Sequence, residues 1–317
     1  MSYRVKEILP LVGMLLVFVF AAVGVVLEAR GEANPPGAAG AVVTFRGGTF
    51  EASGVAHVPG TDGVLFVDDG RNEEVFWMRL GPDGVQAGAI RPVRLGASVI
   101  DLEGITFDGA HFYVVGSQSK SRGDELAGLV RFRFDAAGQR AEGTEAVSGL
   151  KPFLAAGVVE LRGMEKTKYK DGGINIEGLA WDPVNGRLLL GLRSPIVDGH
   201  ALVVPLRLRD PRAPFTAANL EVEGGRAIRL PFAGAGIRSI EYDERVKNFR
   251  VITGAGPNSE RLDFKLWEWD GNGERPVLRE LGTYDRRLKP EGFTRVSAVG
   301  RDFGFIVFDT SGYAAAE

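Results

Sequence analysis

The chain has 317 residues, 44 of them glycine and none cysteine, with 25% charged residues and a formal net charge of −3. Without cysteine there is no disulfide scaffold, thiol nucleophile or thiolate metal site, and the slightly acidic balance offers no broad basic field for nucleic acid. Glycine at about twice its usual share of roughly 7% implies many tight turns between short strands, because glycine alone takes positive φ without steric cost.

In chain order, Arg4 and Lys6 precede an apolar run from Ile8 to Leu27, long enough to span a bilayer. Residues 1–33 read as an uncleaved membrane anchor or a signal peptide, with Gly31-Glu32-Ala33 offering small residues for cleavage. Basic residues before the span send the remainder across the membrane. The sequence therefore predicts an exported, periplasmic or extracytoplasmic protein, tied to the inner membrane through residues 8–27 if they are kept. Residues 34–40 are a flexible linker by composition. Strand patterning fills 41–317.

Within that region one phrase returns five times: a polar residue, a small residue, an apolar strand, a tight turn and a second apolar strand. The first strands begin at Ser53-Gly54, Glu103-Gly104, Glu177-Gly178, Arg238-Ser239 and Glu291-Gly292. Their partners end at Asp68-Asp69, Ser117, Arg193, Gly254 and Asp309. A strand-built repeat of this length means a propeller or an array. Third strands are expected at Val75–Leu80, Leu129–Phe134, Ala201–Leu208 and Leu262–Trp269, and weaker fourth strands at Ala89–Leu95, Thr144–Val147, Ala227–Leu230 and Val277–Tyr284. The long interval from Gly104 to Gly178 holds an insertion, 151–170, with a helix-compatible segment.

Four antiparallel strands per unit make a propeller blade. The all-β fold expected is a five-bladed propeller behind an N-terminal hydrophobic helix, six blades being the alternative. The fifth unit shows two strands and stops near Asp309, so Ala41–Arg46 is expected to supply its missing outer strand and close the ring.

In each hairpin the start of the first strand lies beside the end of the second. The polar residues of all units should thus gather at one channel mouth: Asp68, Asp69, Asp101, Glu103, Ser117, Asn175, Glu177, Arg193, Arg238, Lys289, Glu291 and Asp309. These acids and bases would also serve merely to pair across blades, Glu177 with Arg193 above all. Glu103, Glu177, Glu291, Asp68 and Asn175 carry oxygens suited to a divalent cation such as calcium, whereas Arg193 and Arg238 suit an anion held by a guanidinium fork. No histidine has a convincing nucleophile partner, so a serine–histidine–aspartate mechanism is not expected.

Gly173-Ile174-Asn175-Ile176-Glu177-Gly178-Leu179-Ala180-Trp181, followed by Gly191-Leu192-Arg193-Ser194-Pro195, resembles a bacterial family of uncharacterised proteins known as a domain of unknown function. Asp101-Leu102-Glu103-Gly104-Ile105 and Gly236-Ile237-Arg238-Ser239-Ile240-Glu241-Tyr242 are similar to the same family's phrases. The resemblance spans roughly residues 50–312 and brings no established activity. More loosely, the Glu-Gly step is similar to that of esterase-like or phytase-like propellers, which implies the fold and transfers no catalytic residue.

Three functions follow. The first is a monomeric binding module for a small anionic molecule, a glycan or an envelope protein. The second is a calcium-assisted hydrolase of a phosphoester or lactone, with Glu103 as base. The third is a structural protein of the cell envelope.

Overall fold

A computed structural model describes residues 41–119, 127–257, 262–298 and 300–316. The expected hydrophobic helix, the 1–33 segment and the 34–40 linker lie outside the described residues. Among the described residues no helix is long and apolar enough to cross a membrane.

The repeated phrase forms the inner hairpin of five antiparallel sheets. Strand β1 (Val43–Thr44) precedes blade 1, which runs β2 (Ala52–His57), β3 (Gly63–Asp68), β4 (Glu74–Arg79) and β5 (Arg91–Arg94). Blade 2 is β6 (Leu102–Phe107), β7 (Phe112–Gly116), β8 (Ala127–Asp135) and β9 (Arg140–Ser148). Helix α1 (Leu150–Gly157) opens the insertion. Blade 3 is β10 (Asn175–Asp182), β11 (Arg187–Ser194) and β12 (Ala201–Leu208), with an outer strand split into β13 (Leu220–Val222) and β14 (Ile228–Leu230). Blade 4 is β15 (Gly236–Asp243), β16 (Asn248–Gly254), β17 (Phe264–Trp269) and β18 (Leu278–Tyr284). Blade 5 is β19 (Pro290–Ala298), β20 (Arg301–Phe308), β21 (Gly312–Ala316) and, last, β1.

The inner strands β2, β6, β10, β15 and β19 each touch the next, and β19 returns to β2. The result is a closed five-bladed propeller, which removes the six-blade alternative. Strand β1 is the outer strand of blade 5, as expected, but one expectation needs correction: the chain does not leave the sheet near Asp309, because β21 pairs with β20 as a third strand and lies between β20 and β1. The sequence hid β21 because Ala314-Ala315-Ala316 has little strand propensity; Tyr313, buried against Phe45 and Phe305, holds it.

Alternate apolar residues fill five buried clusters, one at each blade interface. Near the axis the inner strands come too close for side chains. A Cβ on Gly54 would lie 2.8 Å from the carbonyl oxygen of Glu103, and one on Gly104 2.7 Å from Leu179 Cβ. Every inner hairpin also shifts register at this small residue. Such a bulge re-aims the neighbouring side chain, here the polar residue just before the small one.

Candidate functional site

That polar residue is Ser53, Glu103, Glu177, Arg238 and Glu291 in blades 1 to 5, and all five line one cavity of about 540 Å³ at the start of the inner strands. Asp69, Arg193, Lys289 and Asp309 of the expected set line it too. Tyr169 and Lys170 arrive from the insertion, and Arg286 from the turn before β19. The expected set lacked these last three because they lie in loops outside the repeated phrase; the only signal was the insertion itself.

Four expected residues stand outside the lining. Asp68 accepts the backbone N–H groups of Glu51 at 3.1 Å and Gly70 at 3.0 Å, fixing the chain after β3. Ser117 donates its hydroxyl to Asp101, which also accepts from Ser119 at 3.1 Å. Asn175 is buried and donates to Glu177 Oε1 at 2.9 Å.

The mouth divides into two electrostatic regions. In the first, Arg238 holds Glu291 through Nε at 2.6 Å and through Nη2, and brings Nη1 to 2.9 Å from Glu177 Oε2. Arg193 donates to Glu177 Oε1 at 2.9 Å and to the Ala255 carbonyl at 3.0 Å, and its guanidinium lies 5.0 Å from the Tyr169 ring centre. Glu177 and Glu291 are only 3% and 4% exposed. A buried carboxylate is tolerated when paired in this way. Burial nevertheless pushes Glu291 up to about 7 against the pull of Arg238. Burial also opposes the charge on Arg238, but Glu177, Glu291 and Glu103 hold it firmly protonated.

The second region gathers three acidic residues. Asp69, Asp101 and Glu103 each present a carboxyl oxygen, all within 4.8 Å of one another. Glu103 has no hydrogen-bond partner among the described residues. Burial, then Glu177 and Asp101, raise its carboxyl well above the ordinary range, with Arg238 opposing. Asp69 is pushed up to about 7 by burial and by Glu51, Asp101 and Asp68 around it, and its Oδ1 is buried without a partner. Lys170 and Arg286 sit exposed on the rim, while Lys289 pairs with Asp309 at 2.5 Å.

The two regions should respond differently to mutation. Glu177→Gln weakens the hold on two arginines and is expected to cost about 1–3 kcal/mol. Glu103→Gln should change stability by less than about 1 kcal/mol near pH 5. Because the folded-state carboxyl of Glu103 is raised, the wild type binds a proton more tightly when folded. It therefore loses stability as pH climbs above the unfolded value, and the glutamine variant does not. Urea unfolding near pH 5 and near pH 8 should show the variant gaining on the wild type at the higher pH.

Residues 149–276 match a family model described as "Protein of unknown function (DUF3616)". The match includes the phrases around Glu177 and Arg238. No curated protein matches the sequence. Among solved structures the chain is similar to a glucose dehydrogenase (10% identity, TM-score 0.44, covering 88% of this chain and 99% of that one). It is similar also to the soluble aldose sugar dehydrogenase of Escherichia coli in its apo-form (11% identity, TM-score 0.46, 87% and 98% covered). A third is the Kuenenia stuttgartiensis hydrazine synthase (12% identity, TM-score 0.39, 84% and 76% covered). None of these activities transfers to this chain at such distance.

Proposed function

We propose that this chain is an exported binding propeller whose mouth takes a divalent cation, calcium by preference, together with a small molecule carrying an anionic group. One observation carries the reading: Glu177 and Glu291 are balanced by arginines, whereas Asp69, Asp101 and Glu103 bring three carboxyl oxygens within 4.8 Å of one another and Asp69 Oδ1 is buried without a hydrogen-bond partner among the described residues. Three carboxyls without cysteine or histidine form a hard oxygen set, which suits calcium or magnesium rather than zinc. Calcium takes six to eight oxygens, so three carboxyls leave positions for water and for the ligand. The rim cations Lys170 and Arg286 would face the ligand's negative group. Arg193 and Arg238 are already engaged and serve as scaffold. Export is supported by the basic residues and apolar run at 4–27.

The test is a thermal-shift series on full-length protein stripped with EDTA. Calcium at about 100 times its dissociation constant should add about 2.7 kcal/mol. Glycerol phosphate should raise Tm further only when calcium is present. A phosphate ester that acts equally well without calcium would overturn the shared site. Turnover of p-nitrophenyl phosphate or a lactone by the calcium-loaded protein would convert the binding reading into the hydrolytic one.

A further inference from the structure

The channel has a second cavity, of about 350 Å³, at the far end of the inner strands. It is built by equivalent positions of the repeat. Three residues past the small step stand His57, Phe107, Trp181, Tyr242 and Arg295, and all five line it. Two past the step stand Ala56, Thr106, Ala180, Glu241 and Thr294. Four repeats thus place alanine or threonine where blade 4 places a carboxyl.

Glu241 reaches across the channel. Its Oε2 accepts the Thr106 hydroxyl at 3.3 Å, from blade 4 to blade 2, past the intervening blade. That hydroxyl in turn accepts the Trp181 backbone N–H at 3.0 Å. The other oxygen of Glu241 has no hydrogen-bond partner among the described residues. The nearby cation is turned toward blade 4: Arg295 donates through Nη2 to Asp243 at 3.0 Å, and Asp243 also takes Arg250 at 3.0 Å, while Nε and Nη1 of Arg295 are buried without a partner among the described residues. A single neutral hydroxyl does not offset burying a carboxylate. A carboxyl that shares a cavity with three aromatic side chains, Phe107, Trp181 and Tyr242, suits an organic cation.

We propose that this second cavity binds a small organic amine, its ammonium group held by Glu241 and its carbon skeleton by Phe107, Trp181 and Tyr242. The site is separate from the first mouth, since the two rings lie about 10 Å apart at roughly 3.3 Å per residue along each inner strand. Burial, with Asp243 adding to it, raises the Glu241 carboxyl when the cavity is empty. A bound ammonium favours the charged carboxylate, so any proton held there is released on binding. The other titratable or charged groups lining this end are His57, which burial holds below its usual range, with Asp108, Tyr242, Glu244 and Arg295; Asp243 lies behind Arg295.

Calorimetric titration of the full-length protein with n-butylamine and tetramethylammonium, with 1-butanol as neutral isostere, tests this. At least one cation should bind saturably and 1-butanol should not. Binding should weaken about tenfold or more in Glu241→Gln, as for loss of a charge-assisted contact, and should survive in Glu103→Gln. Two buffers of different ionisation enthalpy should report proton release for the wild type and none for Glu241→Gln. Glu241→Thr, which copies two other repeats, guards against a folding defect and should keep or raise Tm. The proposal fails if neither cation binds, if 1-butanol binds as well, or if binding is unchanged in Glu241→Gln. It fails equally if acetate binds instead through Arg295.

Discussion

Replacing Arg238 by alanine is expected to destabilise the folded protein by about 3–5 kcal/mol at neutral pH, the range for breaking a buried ion pair from one side. Its guanidinium is the shared partner of Glu291 and Glu177, and it also offsets Glu103. Without it, three carboxyls crowd one channel ring, and among the described residues Arg193 still pairs with Glu177. They would respond by holding protons in the folded state. The penalty should thus be smallest in acid, where both folded and unfolded chains are protonated, and should grow as pH rises through the ordinary glutamate range. Lysine should rescue little, because a compact ammonium cannot bridge two carboxylates as the planar fork does. Urea unfolding across that pH range measures it. A loss below about 1 kcal/mol, independent of pH, would mean that the network is solvated and worth no more than a surface pair.

Phe45→Ala should cost about 3–5 kcal/mol, the range for a large aromatic removed from a core. Strand β1 is only two residues long, with Val43 opposite Tyr313 and Thr44 opposite Gly312. So short a ladder contributes little to ring closure. Phe45, immediately after it, is 4% exposed, stacks on Phe66 at 5.1 Å and meets Tyr313 at 5.2 Å and Phe50 edge-on at 5.5 Å. Deleting residues 1–46 should therefore lower the unfolding free energy only somewhat more than the point change does, the extra loss being the β1 ladder and the Arg46–Gln86 hydrogen bonds. Deleting 1–33 leaves all these contacts in place and should leave the melting temperature of the propeller nearly unchanged. Full stability after deletion through Arg46 would contradict closure by this segment.

Apart from β21, the strands and their order were legible because the Gly54-type step recurs with its apolar hairpin, and the same step marked the ring of Ser53, Glu103, Glu177, Arg238 and Glu291. What pairing each ring member makes was not legible. Glu103, Glu177 and Glu291 look alike in sequence, but Arg238 stands between the last two in the ring and leaves Glu103 to Asp69 and Asp101. Asp68 and Asp69 both read as facing the mouth, yet Asp68 ends β3 with its carboxylate turned to backbone N–H groups, and only Asp69, in the turn that follows, lines the cavity. Lys170 and Arg286 reach the rim through loops whose path depends on tertiary packing. Glu241 was hidden because its position in the other repeats reads as ordinary channel lining, and only the cross-channel contact with Thr106 reveals it.

The distinction between Glu103 and its two look-alikes is the centre of the account, and calcium calorimetry tests it most directly. Calcium titrated into EDTA-stripped full-length protein should fill a single site. The site should be lost in Glu103→Gln, while that variant unfolds at the same or higher urea concentration than the wild type. Absence of calcium binding to the wild type, or equal binding by the Glu103→Gln protein, would contradict it and leave the mouth a ring of structural charges.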